Sequence, residues 1–167
     1  MSCPPYLDVA KQTIVKPDGK IIDDYYQIYM PSYTAIFAYE EKLDSVYVLE
    51  GYRHGSRKHI LGFPGGMVEK GESPSQCAQR ELLEETGFKA KNWHYIGNFL
   101  GEPSKQCGDF HIFFATGLTN EQKPDSGDLE DTELKLVPTE KLISLGIKYG
   151  CPLGFFAISS LGLSLIK

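Results

Sequence analysis

Apolar and polar positions in the first third of the chain follow the pattern of β-structure. Residues 11–15 and 20–30 are β-prone runs on either side of Pro17-Asp18-Gly19, a strong turn signal, and together they predict a hairpin. Two further apolar runs, 33–39 and 45–50, are separated by the charged stretch 40–44. Residues 58–63 predict another strand, which runs into Pro64-Gly65-Gly66, where regular structure must break. A helix over 74–86 follows. Ser73 suits the N-cap, Pro74 the first helical position, and Gln76 completes a capping box. Gly87 stands where a left-handed C-cap belongs.

Beyond that helix, residues 93–100 and 110–118 read as strands, and an acidic loop punctuated by Gly and Pro covers 120–131. Residues 133–137 predict a short strand, 139–145 a short helix, and a last helix starts near Leu153. Strands on both sides of one central helix, with helices at the end, imply an α+β fold with a mixed sheet between helices.

Length and composition refine this only a little. A chain of 167 residues with 41% hydrophobic and 23% charged residues predicts one globular domain. The net charge of −5 argues against a nucleic-acid backbone or an anionic membrane as partner. The apolar stretch 153–166 is too short to span a bilayer and carries three serines. The first six residues lack an apolar signal core, so a cytoplasmic location is expected. Cys3, Cys77, Cys107 and Cys151 are scattered, which predicts free thiols and no zinc site. His54, His59, His94 and His111 also lack ligand spacing.

The chemistry concentrates on the helix. Glu81, Glu84 and Glu85 stand at i, i+3 and i+4, so at about 100° per residue their carboxylates share one face. Three like charges in the C-terminal half of a helix oppose both one another and the helix dipole. A solvated charged face is the ordinary reading of such a run. A neutralising cation is the other, and hard oxygen donors in this number suit Mg²⁺ or Mn²⁺. Arg80 beside the cluster, Glu72 upstream and the bare backbone of 64–66 favour the cation.

Gly66, Glu72, Arg80, Glu81, Leu82, Glu84, Glu85, Gly87 and Phe88 match every specified position of the Nudix box, and the chain resembles the Nudix hydrolases. The box covers about one-seventh of the chain, and the strand order around it also resembles the Nudix α/β/α sandwich. The resemblance implies Glu81 and Glu85 as main metal ligands, with Glu84 sharing a second metal and the Gly65 carbonyl as a backbone ligand. Arg80 would orient the glutamates through a network with Glu72. The reaction implied is attack of water on a pyrophosphate phosphorus, with Glu84, Glu130 or Glu133 as candidate bases.

Residues outside the box resemble the ADP-ribose pyrophosphatases, a subgroup acting on nucleoside diphosphate sugars. Pro103 lies at that subgroup's marker spacing beyond Gly87, and Asp23-Asp24-Tyr25-Tyr26 and Tyr52-Arg53-His54-Gly55 look like its flanks. Two segments depart from it. Gly62 stands where an acidic residue is usual, and residues 104–108 lack the common loop pattern. Tyr25, Tyr26, Tyr29 and Phe63 are candidates for stacking on a base, and Arg53 for pairing with a phosphate. The alternatives are a Nudix hydrolase of GDP-mannose, dinucleoside polyphosphates or damaged nucleotides, and a Nudix-like domain that binds a nucleotide without cleaving it. Related ADP-ribose enzymes are often homodimers, and the segment 11–30 is compatible with that.

Overall fold

The computed structural model describes residues 2–3, 6–105, 107–125, 127 and 131–166. The turn at Pro17-Asp18-Gly19 closes the expected hairpin, with Gly19 at φ 83°. Strands β2 (Leu7–Val15) and β3 (Ile21–Tyr29) pair antiparallel, and β1 (Ser2–Cys3) adds to β2. No residue of β2 or β3 is fully buried, so this small sheet contributes little to the core. It is fastened to the rest through Ile28, whose N–H donates to the Lys105 carbonyl (2.8 Å), and through the Tyr25 hydroxyl, which donates to the Ser104 carbonyl.

The main sheet has six strands: β4 (Tyr33–Glu40), β5 (Ser45–Arg53), β6 (Lys58–Gly62), β7 (Phe88–Glu102), β8 (Cys107–Asn120) and β9 (Thr132–Pro138). Five of them run in the order β6-β5-β4-β8-β7, and β9 pairs with β5. The β4–β8 pairing is parallel and the others are antiparallel, which makes the sheet mixed. Helix α1 (Pro74–Thr86) has the expected bounds and capping box, and Gly87 closes it at φ 76°. Strand β7 starts directly after that cap, five residues earlier than its apolar pattern suggests. A bulge between Tyr95 and Gly97 shifts its alternation midway. The expected helix over 139–145 is a 3₁₀ turn, Thr139–Lys141, followed by α2 (Leu142–Tyr149), which continues until Gly150 caps it at φ 62°. The last helix is α3 (Leu153–Leu163).

Strand β4 explains why the core has two halves. Its residues 34–38 are all buried, so both faces of the strand are covered. Ile36 and Ala38 pack with Ala78 and Leu82 of α1 and with Phe113 and Ala115 of β8. Phe37, on the opposite face, packs with Val46, Val48, Leu61 and Phe63 and with Leu142 and Phe155 of the last two helices. Helices therefore cover both faces of a mixed sheet.

The register of β5 creates the place for a site. β9 follows β5 from Ser45 to Gly51 along one edge. On the other edge β4 pairs only with residues 45–47, and β6 only with residues 49–53. The sheet thus opens between β4 and β6. Residues 64–68 enter that opening and bond to β4 and the residue before it: Ile36 N–H to the Pro64 carbonyl, Thr34 N–H to the Gly66 carbonyl, and Val68 N–H to the Ser32 carbonyl, at 2.8–2.9 Å.

Candidate active site

Ala78 and Leu82 hold helix α1 against β4 and β8, and the neighbouring flank, with Glu81 and Glu85, meets the loop. Glu85 is buried, and its Oε2 accepts the Gly65 N–H at 2.7 Å. Glu81 lies over Gly66 so closely that a β-carbon there would stand 2.2 Å from Glu81 Oε1. Gly66 therefore leaves a cradle that any other residue would fill. Gly65 is constrained in another way, by φ 148° and by the Thr34 carbonyl, 2.1 Å from where a β-carbon would sit.

Arg80 resolves the repulsion expected among the carboxylates. Its Nε and one terminal nitrogen bind the two oxygens of Glu72 at 2.9 and 3.0 Å, a fork-on-fork pair. The other terminal nitrogen donates to Glu81 at 2.7 Å and Glu84 at 3.1 Å. One guanidinium thus serves three carboxylates. Its hydrogen bond with Glu72 is the leading cause that raises the Arg80 pKa, and it holds the Glu72 carboxyl below the usual range.

The donor chemistry fits a hard divalent cation: Glu85 and Glu81 meet bare backbone at Gly65 and Gly66, with Glu84 one turn from Arg80 on the same helix. As arranged, however, Glu81 and Glu84 are turned to Arg80 and Glu85 to the Gly65 amide. Among the described residues no three His, Cys, Asp or Glu side chains are gathered around one point as metal ligands.

The other expected site residues are dispersed. Arg53, at the end of β5, reaches over Gly62, and its guanidinium lies 3.7 Å from where a β-carbon of residue 62 would be. Tyr25 is tied to Ser104, while Tyr26 is half exposed on the small sheet. Phe63 goes to the core. Its ring stacks on Phe37 (5.7 Å) and Phe155 (4.9 Å) and is only 9% exposed, so neither face is open to a base. The pleat accounts for this, since Leu61 and Phe63 are two apart and share the face under α3. Glu133, in β9 opposite Glu50, is exposed and pairs with Lys135 at 2.6 Å. Glu130 lies outside the described residues. The acidic loop nevertheless begins at the site: Asp125 N–H donates to the Glu84 carbonyl at 2.7 Å.

Pro103 borders a cleft of about 380 Å³ between β3 and the β7–β8 tip, with Gln27, Tyr29, Ser32, Glu102 and Asp109 among its walls. The Ser32 carbonyl accepts the Val68 N–H, so the cleft abuts the glycine loop. Two residues stand at the site that were not expected there, Thr34 and Cys77, the latter a free thiol. Thr34 could have been found as the polar member of an apolar strand. Cys77 could have been found from its place one turn before Arg80 on the same helix face.

A glutamate-bearing helix over a glycine loop, set in a mixed sheet between helices, is the arrangement of a Nudix-type domain. The NUDIX domain profile matches residues 29–149, and the chain belongs to the Nudix family, with its catalytic hydrolase domain. The crystal structure of an ADP compounds hydrolase superposes with a TM-score of 0.81, over 98% of this chain and 88% of that one, at 20% identity; it shares the fold. The ADP-ribose pyrophosphatase of Bacillus subtilis (strain 168) is 29% identical over 152 residues, 82% of this chain and 80% of that protein. The methanol dehydrogenase activator of Bacillus methanolicus is 31% identical over 103 residues, 62% of this chain. The match spans about half of that activator's length, 54%. No described helix is long and apolar enough to cross a membrane.

Proposed function

We propose that this protein hydrolyses the pyrophosphate of a nucleoside diphosphate joined to a sugar, with ADP-ribose as substrate and AMP and ribose 5-phosphate as products. The observation that carries the reading is the convergence of Glu81 and Glu85 on Gly66 and Gly65. Glu81, Glu84, Glu85 and the Gly65 carbonyl would hold Mg²⁺, or Mn²⁺ in its place. When bound, the ion supplies charge neutralisation of the pyrophosphate and acidification of water.

The chain's own residues do the rest. Arg80 draws Glu81 and Glu84 of α1 together with Glu72 of the preceding loop, and would release Glu81 and Glu84 when a stronger cation competes. Glu84, the most exposed of the three with 39% of its side chain accessible, would orient or deprotonate water once Arg80 releases it, and Glu130 of the acidic loop is the other candidate base. Glu133 is the weaker candidate because Lys135 already engages it. Arg53, above the strand that enters the loop, would pair with a phosphate.

The cleft beside Pro103 supports the sugar assignment. Its walls offer carboxylates, an amide and hydroxyls at Glu102, Asp109, Gln27, Tyr29 and Ser32, which suit a hydroxyl-rich group better than a further phosphate. The resemblance to the Bacillus ADP-ribose pyrophosphatase, across most of both chains, points the same way.

We also propose a homodimer formed through the small sheet. Tyr6, Val15, Ile21 and Tyr26 are 50–69% exposed on or beside its strands, an apolar surface suited to a second copy. Light scattering on the purified protein checks this, a monomer mass at micromolar concentration being the contrary result.

The deciding experiment incubates the protein with Mg²⁺ and ADP-ribose, GDP-mannose, diadenosine polyphosphates or deoxynucleoside triphosphates, and separates the products. Release of AMP and ribose 5-phosphate supports the reading. Preference for another compound keeps the chemistry and overturns the substrate. Binding of ADP-ribose without turnover would make the domain a nucleotide sensor.

A further inference from the structure

Behind the glycine loop, within reach of Glu72 and Glu81, lies a small polar cluster inside the core. Thr34 is 4% exposed and Cys77 is fully buried. The Thr34 hydroxyl lies 3.3 Å from Cys77 Sγ and donates to the Gly66 carbonyl at 3.4 Å. Cys77 Sγ is 3.4 Å from the Met67 carbonyl and 3.7 Å from that of Gly66. Arg80 donates to the same sulfur at 3.5 Å and to the Met67 carbonyl at 3.2 Å. The thiol thus touches Thr34 of the sheet, the loop and the guanidinium at once.

We propose that Cys77 is a positioning residue. With Thr34 it sets residues 65–67 and Arg80 in register, so that the Gly65 amide meets Glu85 and Gly66 makes room for Glu81. The inference rests on the reading of those glutamates as metal ligands. Reaction at the sulfur is not part of it: burial pushes the thiol up to about 11, which keeps it protonated as a donor. The S–H donates to the Met67 carbonyl, the Thr34 hydroxyl to the Gly66 carbonyl, and the sulfur accepts from Arg80. A smaller apolar residue at 77 would take the thiol donor from the Met67 carbonyl and the sulfur from the guanidinium, leaving Arg80 tied to that carbonyl and to Glu72 alone on this side. The loop and Arg80 would then settle into a looser arrangement, and the cost would fall on the ligands rather than on the fold.

The test compares the wild type with Cys77→Ala, Cys77→Ser and a control, Val46→Ala, which opens a cavity in the other half of the core. Binding of Mn²⁺ alone is followed by electron paramagnetic resonance, without substrate. Hydrogen exchange of the Thr34 amide, donor to Gly66, is followed in metal-free protein.

Cys77→Ala should weaken Mn²⁺ binding about five- to tenfold, as expected for one lost hydrogen-bond partner, and speed exchange at Thr34 while Ile36 stays protected. Cys77→Ser should return both to within about twofold of the wild type, because it restores the donor. Val46→Ala should lose thermal stability and keep its Mn²⁺ affinity. Wild-type affinity and exchange in Cys77→Ala would overturn the proposal, and so would a serine variant that behaves like the alanine one. If the wild type itself bound no Mn²⁺, the metal reading would fall, and the exchange data would still decide the role of Cys77.

Discussion

Glu85 and Gly65 are joined by a single hydrogen bond of 2.7 Å that ties the middle of the glycine loop to the last turn of α1. The contact places a buried carboxylate on a backbone amide. A carboxylate that accepts an amide N–H makes a charge-assisted hydrogen bond, stronger than one between neutral groups.

Glu85→Gln tests what that charge does. Glutamine retains an oxygen to accept the Gly65 N–H, so the tie and the fold should survive, with Tm within a few degrees of the wild type. The ligand charge is lost. Turnover should fall on the order of a hundred- to a thousandfold, the size of losing one preorganised electrostatic group, and Mn²⁺ binding should weaken in parallel. A variant that turns over at the wild-type rate would remove Glu85 from the site.

The two glycines should respond differently to alanine. At Gly66 the new β-carbon meets the Glu81 carboxylate, a side chain that can move, so Gly66→Ala should fold and lose metal affinity. At Gly65 it meets the Thr34 carbonyl, a backbone atom of a buried central strand, at a φ that side chains avoid. Gly65→Ala should therefore lose stability first, by about 2 kcal/mol or more. Urea melts and Mn²⁺ titration of the two variants separate these outcomes.

The Glu72–Arg80 pair predicts a pH dependence with a definite sign. Arg80 lowers the Glu72 pKa in the folded protein relative to the unfolded chain. The pair's contribution to stability is therefore fully present above the unfolded value, about 4.3, and is lost as pH falls through the lower folded value. Glu72→Gln should cost stability at pH 7, and its difference from wild type should shrink as pH drops below about 4. Urea midpoints of both proteins between pH 3 and 8 measure it. A difference independent of pH would mean that the pair acts through packing alone.

The fold was readable where one signal dominated. Ser73, Pro74, Gln76 and Gly87 fix α1 by local chemistry alone, and the box glutamates follow because the helix carries them on one face. Strand β7 was partly hidden by the bulge after Tyr95, which breaks its alternation. The opening between β4 and β6 was not readable at all, since it depends on which part of β5 each strand pairs with. For the same reason the Thr34–Cys77 contact, between residues 43 apart in the chain, left no local trace.

Phe63 shows how sequence position misleads when the pleat decides direction. It sits one residue before the loop, yet its ring belongs to the stack of Phe37 and Phe155. Phe63→Ala should cost about 3–5 kcal/mol as a core truncation. Tm should fall, and KM measured at a temperature where the variant is folded should be unchanged. A raised KM under those conditions would return Phe63 to the substrate.

Asp109 tests the cleft. Its Oδ2 accepts from Asn98 at 2.9 Å, which fixes the carboxylate on the wall shared with Pro103 and Glu102. If that wall holds the sugar hydroxyls, Asp109→Asn exchanges an acceptor for a donor at an unreactive part of the substrate. The loss is then in uniform binding: KM for ADP-ribose should rise roughly three- to tenfold, about the value of one hydrogen bond, with kcat nearly constant. The same substitution should leave Mn²⁺ affinity untouched, because the Asp109 carboxylate is held by Asn98 and is not one of the groups that meet at Gly65 and Gly66. A fall in kcat with KM unchanged would place Asp109 at the reacting phosphate instead, and the assignment of the cleft to the sugar would have to be abandoned.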